Sequence, residues 1–208
     1  LGRFLAPVPF SSSVYLFTEA IVKYGSEEIK KDLLPKLVSG DVIGTLAVTE
    51  DLFAPSKDNI KLSCESGKIN GKKIAVPDAS IATHALVIAK SEKGICLQVA
   101  DLSHEGVSIE HQENIDESRG HFSITFNGVD TQTIGDEISG WDIYESIINK
   151  AAVLFAYEQI GGSQASLDMA VNYAKERYAF GRPIGSYQAI KHKLADMYIA
   201  LTLAKSNC

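Results

Sequence analysis

The residues whose types and spacing could do chemistry lie late in the chain. They are Arg177-Tyr178-Ala179-Phe180-Gly181-Arg182-Pro183-Ile184-Gly185, followed by Gln188 and then Ala195-Asp196-Met197. A guanidinium at a helix end offers a planar fork of donors that matches the oxygens of a diphosphate. An aromatic one turn later can meet a heterocycle, and a glycine frees the backbone to come close. The bland alternative stands beside this reading: Arg177 complements the negative C-terminal end of its own helix. Other signals are weaker. Gly161-Gly162-Ser163 is followed by Ala165 where a hydrolase elbow needs glycine, and it has no Gly-Lys-Ser/Thr end for a phosphate loop. His84, His104, His111, His121 and His192 have no metal-ligand spacing and read as surface or turn histidines, so no metal site is expected. The carboxylates of the middle segment read as a solvated sheet face.

The elements that must position these residues follow from periodicity. Val14, Phe17 and Ile21, then Ile29, Leu33 and Leu37, recur at helical steps, with Gly25-Ser26-Glu27-Glu28 as a stop and a fresh N-cap. Two helices are expected before residue 40. From Asp41 to about Asp136 the pattern changes to short β-rich runs: Thr45–Val48, Ile60–Cys64, Ile69–Val76, Ala85–Ala89, Cys96–Val99, Val107–Glu110 and Phe122–Phe126. Turn signals separate them at Ser66-Gly67, Asn70-Gly71, Lys93-Gly94, Glu105-Gly106 and Asn127-Gly128, which argues an antiparallel sandwich or barrel. After Trp141 the chain turns helical to about Ala179, breaks at Gly181-Arg182-Pro183, and resumes from about Ser186 to Lys205. The glycine pair 161–162 would weaken so long a helix unless a neighbouring helix comes close there. The expectation is an α+β multidomain chain: 1–40 the end of an N-terminal helical domain, 41–136 a β domain, 137–208 the start of a C-terminal helical bundle.

Composition narrows the function classes. The 208 residues carry 20 Lys plus Arg against 26 Asp plus Glu, and 45% are hydrophobic, the composition of a globular protein. Residues 41–140 hold a net −8 while each flank holds +1, which disfavours a phosphate backbone as partner, so nucleic acid is not expected. The longest apolar runs, such as Ala151 to Ala156, fall short of the roughly 20 residues of a membrane span. Cys64, Cys96 and Cys208 are an odd set at unrelated spacings, which suits a reducing, cytoplasmic setting rather than a disulfide framework or a CxxC site. The opening LGRFLAPVPF has no signal-peptide pattern, and the chain stops at Cys208 inside a helical pattern, so a piece of a longer protein is expected.

Three stretches in order carry a resemblance. YAKERYAFGRPIGSYQAIKHKLADM is similar to the signature of acyl-CoA dehydrogenases, an R-x-x-F-G segment followed by Gln and an L-A-D-M helix. Gly44-Thr45-Leu46-Ala47-Val48-Thr49-Glu50 resembles that family's first β-domain strand, which ends in V-T-E or L-T-E. Ile69-Asn70-Gly71-Lys72-Lys73 resembles its I-N-G-x-K hairpin. The resemblance implies a flavoprotein that oxidises an acyl-CoA to its trans-2-enoyl form, with FAD held between the β domain and the helices of a neighbouring subunit. It implies that Val48 and Thr49 lie against the flavin ring, that Arg177 and Phe180 touch the FAD diphosphate across a subunit interface, and that Gln188 lies near it. Electron-transfer flavoprotein is the implied acceptor, and a homodimer or homotetramer the implied assembly.

Departures from the family pattern shape the alternatives. Where the family has P-G-A-G-S-D this chain has Asp51-Leu52-Phe53-Ala54-Pro55-Ser56, without the glycines that let the backbone approach the acyl thioester, and the family's W-I-T is here Ala75-Val76-Pro77, so its Trp and Thr contacts to the flavin cannot be made. The run AVPDASIATHALVIAKS resembles a divergent branch, some members of which work as one half of a heteromeric enzyme. No catalytic residue is assigned. The family's base is expected beyond Cys208, and the minority position on the long helix falls at Ala151, with Glu145 and Glu158 out of register and read as structural. The alternatives are a non-catalytic scaffold subunit of a heteromeric acyl-CoA dehydrogenase and an unrelated β-sandwich binding module.

Overall fold

A computed structural model describes residues 1–116 and 118–208. Chain contacts divide it into two units, Pro7–Ala151, and Leu1–Ala6 together with Ala152–Cys208.

The first unit opens with two helical segments, as the periodicity requires. Its beginning differs in winding: Ser11–Thr18 is a π-helix that runs into α1, Glu19–Tyr24. The three serines at its start are tied outward, Ser12 to Asp78 at 2.5 Å, Ser11 to Arg119, and Ser13 Oγ to the Gly44 amide at 3.1 Å. Such wide turns recur where a helix makes special contacts. α2, Glu27–Ser39, begins where the sequence places its cap: Ser26 Oγ accepts from the Ile29 amide at 3.2 Å, and Gly40 ends the helix at φ 84°.

Seven strands follow: β1 Gly44–Ala47, β2 Ser63–Glu65, β3 Lys68–Pro77, β4 His84–Lys90, β5 Ile95–Asp101, β6 Val107–Gln112 and β7 His121–Ile134. Pairing runs β4–β2–β3–β7–β5 and returns to β4, a closed ring, with β1 added on β4 and β6 on β7. Most ladders are antiparallel, as expected, but β1 joins β4 in parallel, Gly44 opposite His84, and β2 meets β4 in parallel at Ser63 and Lys90. Closure removes the exposed edges of an open sheet. Alternate residues of the strands fill the interior, among them Ile69, Val87, Ala89, Ile124, Phe126 and Val129.

Two expectations are corrected. Asn127-Gly128, read as a turn, lies inside β7. Asn127 faces Asn70 and Val129 faces Ile69, so Gly128 at φ 64° is the extra residue of a bulge, its amide bonded to Asn70 Oδ1 at 2.7 Å. The run Ile60–Cys64 pairs only from Ser63, because the amides of Lys61 and Leu62 are taken by the Glu50 carboxylate. The first part of α3, Gly140–Glu176, belongs to this unit, with Trp141, Ile143, Ile147 and Ala151 buried.

The second unit contains the rest of α3, a hairpin of β8 Tyr178–Ala179 and β9 Arg182–Pro183, and α4, Gln188–Asn207. α3 ends at Glu176, three residues short of the expected limit. The glycine pair is explained by a neighbour other than the helix anticipated: the short 3-10 turn Gly2–Phe4 lies on it. A Cβ on Gly161 would stand 2.9 Å from the Arg3 amide nitrogen, and one on Gly2 would stand 1.8 Å from the Glu158 carbonyl oxygen. Arg3 then reaches Asp168 at 2.8 Å, a carboxylate also held by Gln164 at 2.9 Å.

Candidate functional site

The first group of site residues sits at the end of β1. Val48 is buried and Thr49 half-buried, and their carbonyls are both engaged: Lys73 Nζ donates to Val48 O at 2.9 Å, and the Ile74 amide donates to Thr49 O at 2.8 Å. Lys73 has no solvent exposure and meets Glu50 Oε1 at 2.7 Å, while Glu50 accepts the amides of Lys61 at 2.8 Å and Leu62 at 3.1 Å. Burial pulls the Lys73 ammonium down to about 8, against the opposing pull of Glu50. The register slip between Lys73 and Val76 turns Ile74 off the β7 ladder and toward Thr49, and leaves Ala75 at φ 52° with its amide on Gln112 Oε1 at 2.7 Å.

Beside this lies a second polar knot. Asp78, buried and at φ 58°, accepts from Ser12 and pairs with Arg119, which also donates to Ser11. Asp78 and Glu50 thus depart from the expected solvated face: of these two carboxylates of the acidic middle segment, Asp78 is buried, Glu50 is largely so, and both are paired. The loop that replaces the family's glycines holds Leu52 and Phe53 out in solvent, with the Phe53 amide on Asp51 Oδ1 at 2.9 Å.

The second group forms the hairpin after α3. Arg177 is exposed, directly after the last residue of α3. Its amide bonds to Tyr173 O and its carbonyl accepts from Ile184, both at 2.8 Å, while its guanidinium has no hydrogen bond or ion pair among the described residues. Tyr178 faces Pro183 and Ala179 faces Arg182, so Phe180 and Gly181 are the two central residues of a tight turn, at φ 51° and 79°. Positive φ at both is the two-residue hairpin geometry that favours Asn-Gly. A phenylalanine in it is strained by about 1 kcal/mol or more. Phe180 is 98% exposed at the tip. Tyr187 braces the hairpin, its hydroxyl on Ala179 O at 2.9 Å and its ring under the Arg182 guanidinium at 4.1 Å. Gln188, exposed, starts α4 one residue later.

The structure therefore brings Arg177, Phe180 and Gln188 to one corner of the second unit, and Val48 and Thr49 to one strand end of the first. Glu145, read as structural, accepts the Trp141 indole N–H at 2.6 Å, and Ala151 is fully buried. Among the described residues no cluster of His, Cys, Asp and Glu could hold a metal ion, and no helix is long and apolar enough to cross a membrane. Sequence reasoning missed Lys73. Its signal was the two-residue alternation of β3, which puts Lys73 on the inward face with Ile69, where a cation demands a buried partner. It also missed that Cys64 and Cys96 are neighbours in the barrel core. Burial first, then Cys96, pushes the Cys64 thiol up to about 11.

Helical segments before and after a closed β-barrel define the acyl-CoA dehydrogenase fold. Butyryl-CoA dehydrogenase from Megasphaera elsdenii superposes with a TM-score of 0.92 over 99% of this chain and 58% of its own, at 24% identity, a likeness of fold. Residues 139–208 match the family described as acyl-CoA dehydrogenase, C-terminal domain. Mitochondrial isovaleryl-CoA dehydrogenase from Oryza sativa subsp. japonica is 32% identical over 202 residues, covering 89% of this chain and 49% of the relative. Human mitochondrial short-chain specific acyl-CoA dehydrogenase is 31% identical over 205 residues, covering 91% and 50%. The chain belongs to the acyl-CoA dehydrogenase family. It spans about half the length of the curated relatives it matches.

Proposed function

We propose that the full-length protein is an FAD-dependent acyl-CoA dehydrogenase that converts an acyl-CoA thioester to its trans-2-enoyl form. The observation that carries this reading is the hairpin: a cation with no partner among the described residues, beside a wholly exposed aromatic held in a strained turn, is an arrangement suited to meeting a ligand. Those residues fit FAD. Arg177 holds diphosphate oxygens through its fork of donors, Phe180 covers an apolar face, and Gln188 adds an amide, all toward the FAD of a neighbouring subunit in a homodimer or homotetramer. Val48 and Thr49 present backbone and hydroxyl groups to the ring's polar edge. Ala75-Val76-Pro77 supplies no aromatic packing there, so the ring rests more heavily on the strand end.

FAD, when bound, accepts the hydride that leaves the β-carbon. The chain's own part is to bind and orient: its amides polarise the groups they meet, and the barrel core keeps water from the strand end. No carboxylate among the described residues is assigned as the base, and the family's minority position for it holds Ala151. The proton acceptor is proposed to lie beyond Cys208, and electron-transfer flavoprotein to be the acceptor of the electrons. On this reading residues 1–40, 41–136 and 137–208 are the end of an N-terminal helical domain, the β domain and the start of the helical bundle. The test is the visible spectrum of the purified full-length protein before and after anaerobic addition of acyl-CoAs. A flavin band that bleaches with one of them is expected, and Arg177→Ala should lower flavin content. Protein that stays colourless after FAD is added, or unchanged flavin stoichiometry in Arg177→Ala, counts against it.

A further inference from the structure

We infer that Lys73 is a positioning residue for cofactor binding: with Glu50 it forms a buried charge pair on which the Val48–Thr49 strand end rests, and that pair sets how the strand end is presented. This rests on the reading of Val48 and Thr49 as flavin contacts.

The geometry gives Lys73 a reach that no neighbour shares. One ammonium grips the carbonyl of Val48 and the carboxylate of Glu50, the residues on either side of Thr49, while the next residue of its own strand, Ile74, bonds the Thr49 carbonyl. Three consecutive residues are thereby fixed from one side. A buried ion pair is weak evidence for stability, since apolar residues of similar volume often serve as well. What it does supply is a single orientation, because the strand end cannot rotate without leaving a buried charge unpaired. Among the described residues no charge other than Glu50 acts on Lys73. Lys72 points outward to Glu110 at 3.4 Å, Lys61 turns to Asp51 at 3.9 Å, and the residue opposite Lys73 on β7 is Ile124.

The clamp should loosen when the ammonium loses its proton, and burial brings that loss down to about pH 8. The experiment uses the full-length protein stripped of flavin and titrated with FAD from below to above that pH, in wild type, Lys73→Met, Lys73→Arg, Glu50→Gln and Thr49→Val. Wild type is expected to lose affinity as pH rises through about 8. Lys73→Met should bind FAD about tenfold or more weaker at low pH, equal to about 1.4 kcal/mol, with a shifted flavin spectrum and a flat profile. Lys73→Arg, charged throughout, should bind and lose the decline. Wild-type affinity, spectrum and pH profile in Lys73→Met overturn the proposal. Should that variant not fold, Glu50→Gln decides: it keeps one acceptor oxygen, gives up one of the two amide bonds to Lys61 and Leu62, and removes the counter-charge, so the decline must move to lower pH, and an unmoved profile overturns the proposal. Thr49→Val separates the two claims. Weakened binding there with wild-type behaviour in Lys73→Met overturns the role of Lys73 alone, whereas wild-type binding in Thr49→Val overturns the strand-end contact.

Discussion

Removing Arg119 tests how the barrel holds the helical segment before it. Asp78 is buried, and its carboxylate is satisfied by Arg119 and by Ser12 at 2.5 Å. Arg119→Met keeps the stem and deletes the charge, leaving a buried carboxylate with one hydroxyl. Breaking a buried pair from one side typically loses about 3–5 kcal/mol. The Arg119 side chain is 30% exposed, so water can take part of its place, and about 2–3 kcal/mol is the expectation. The second substitution is the informative one. Asp78→Gly on top of Arg119→Met removes the stranded charge and accepts φ 58° without strain, a relief of about 1 kcal/mol, while losing the Ser12 bond, also about 1 kcal/mol. The double variant should therefore be more stable than Arg119→Met alone by about 1–2 kcal/mol, the signature of coupling rather than addition. Urea denaturation of the 208-residue chain reports it through the fluorescence of its one tryptophan, Trp141, which belongs to the same unit. A double variant no more stable than the single refutes the account, since the loss would then not come from the abandoned carboxylate.

Other outcomes follow from particular contacts. Gly162→Ala has 3.4 Å to the nearest foreign atom, Gly2 O, and should be neutral or stabilising by up to about 1 kcal/mol from helix propensity in thermal denaturation. Gly161→Ala meets the Arg3 amide nitrogen at 2.9 Å and should instead free the N-terminal turn, seen as faster proteolysis near Arg3. Glu145→Gln keeps an acceptor for the Trp141 indole, so on the proposed function kcat of the full-length protein should be unchanged, and a fall of about 100-fold or more would make Glu145 the base. A thiol reagent should label exposed Cys208 quickly and Cys64 barely at all. Because the Cys64 thiol is pushed up to about 11, its thiolate, the reacting form, should grow tenfold with each pH unit below that value, and mass spectrometry of alkylated peptides measures the rate.

What could be read in the sequence was whatever depends on local pattern. The cap at Ser26, the strand alternation and the break at Gly181 are each dictated within a few residues, and most elements appear within a few positions of their expected place, β7 being the exception that runs eight residues past Phe126. Non-local pairing decided the rest. Asn127-Gly128 carries the usual turn chemistry, yet becomes a bulge because the strand it sits in must serve β3, β5 and β6 along fourteen residues, and the ladder slips by one at the glycine. The same holds at Ile60–Leu62, apolar and buried as a strand should be, but denied a ladder because the Glu50 carboxylate reaches its amides first.

For the candidate site, the division falls between residues whose chemistry is outward and those whose chemistry is inward. Arg177, Phe180 and Gln188 could be picked out because their types and spacing have little use within the chain. In the hairpin, Phe180 occupies a conformation its side chain disfavours and buries nothing in exchange. Lys73, Glu50, Asp78 and Arg119 were hidden because a charged residue in a β-rich run looks like surface until the ring of strands closes and shows which face is inside. Once it closes, a charge on the inner face must have been matched from elsewhere in the chain, as Lys73 is by a carboxylate 23 residues earlier, and the buried Asp78 in the turn after β3 is likewise matched by a guanidinium 41 residues later. The pairs therefore mark two places that are polar by requirement, one on the inner face of β3 and one in the loops after β3 and before β7. One of the two requirements falls directly under the backbone of Val48 and Glu50, around Thr49, where a fixed orientation would matter most to a bound ring.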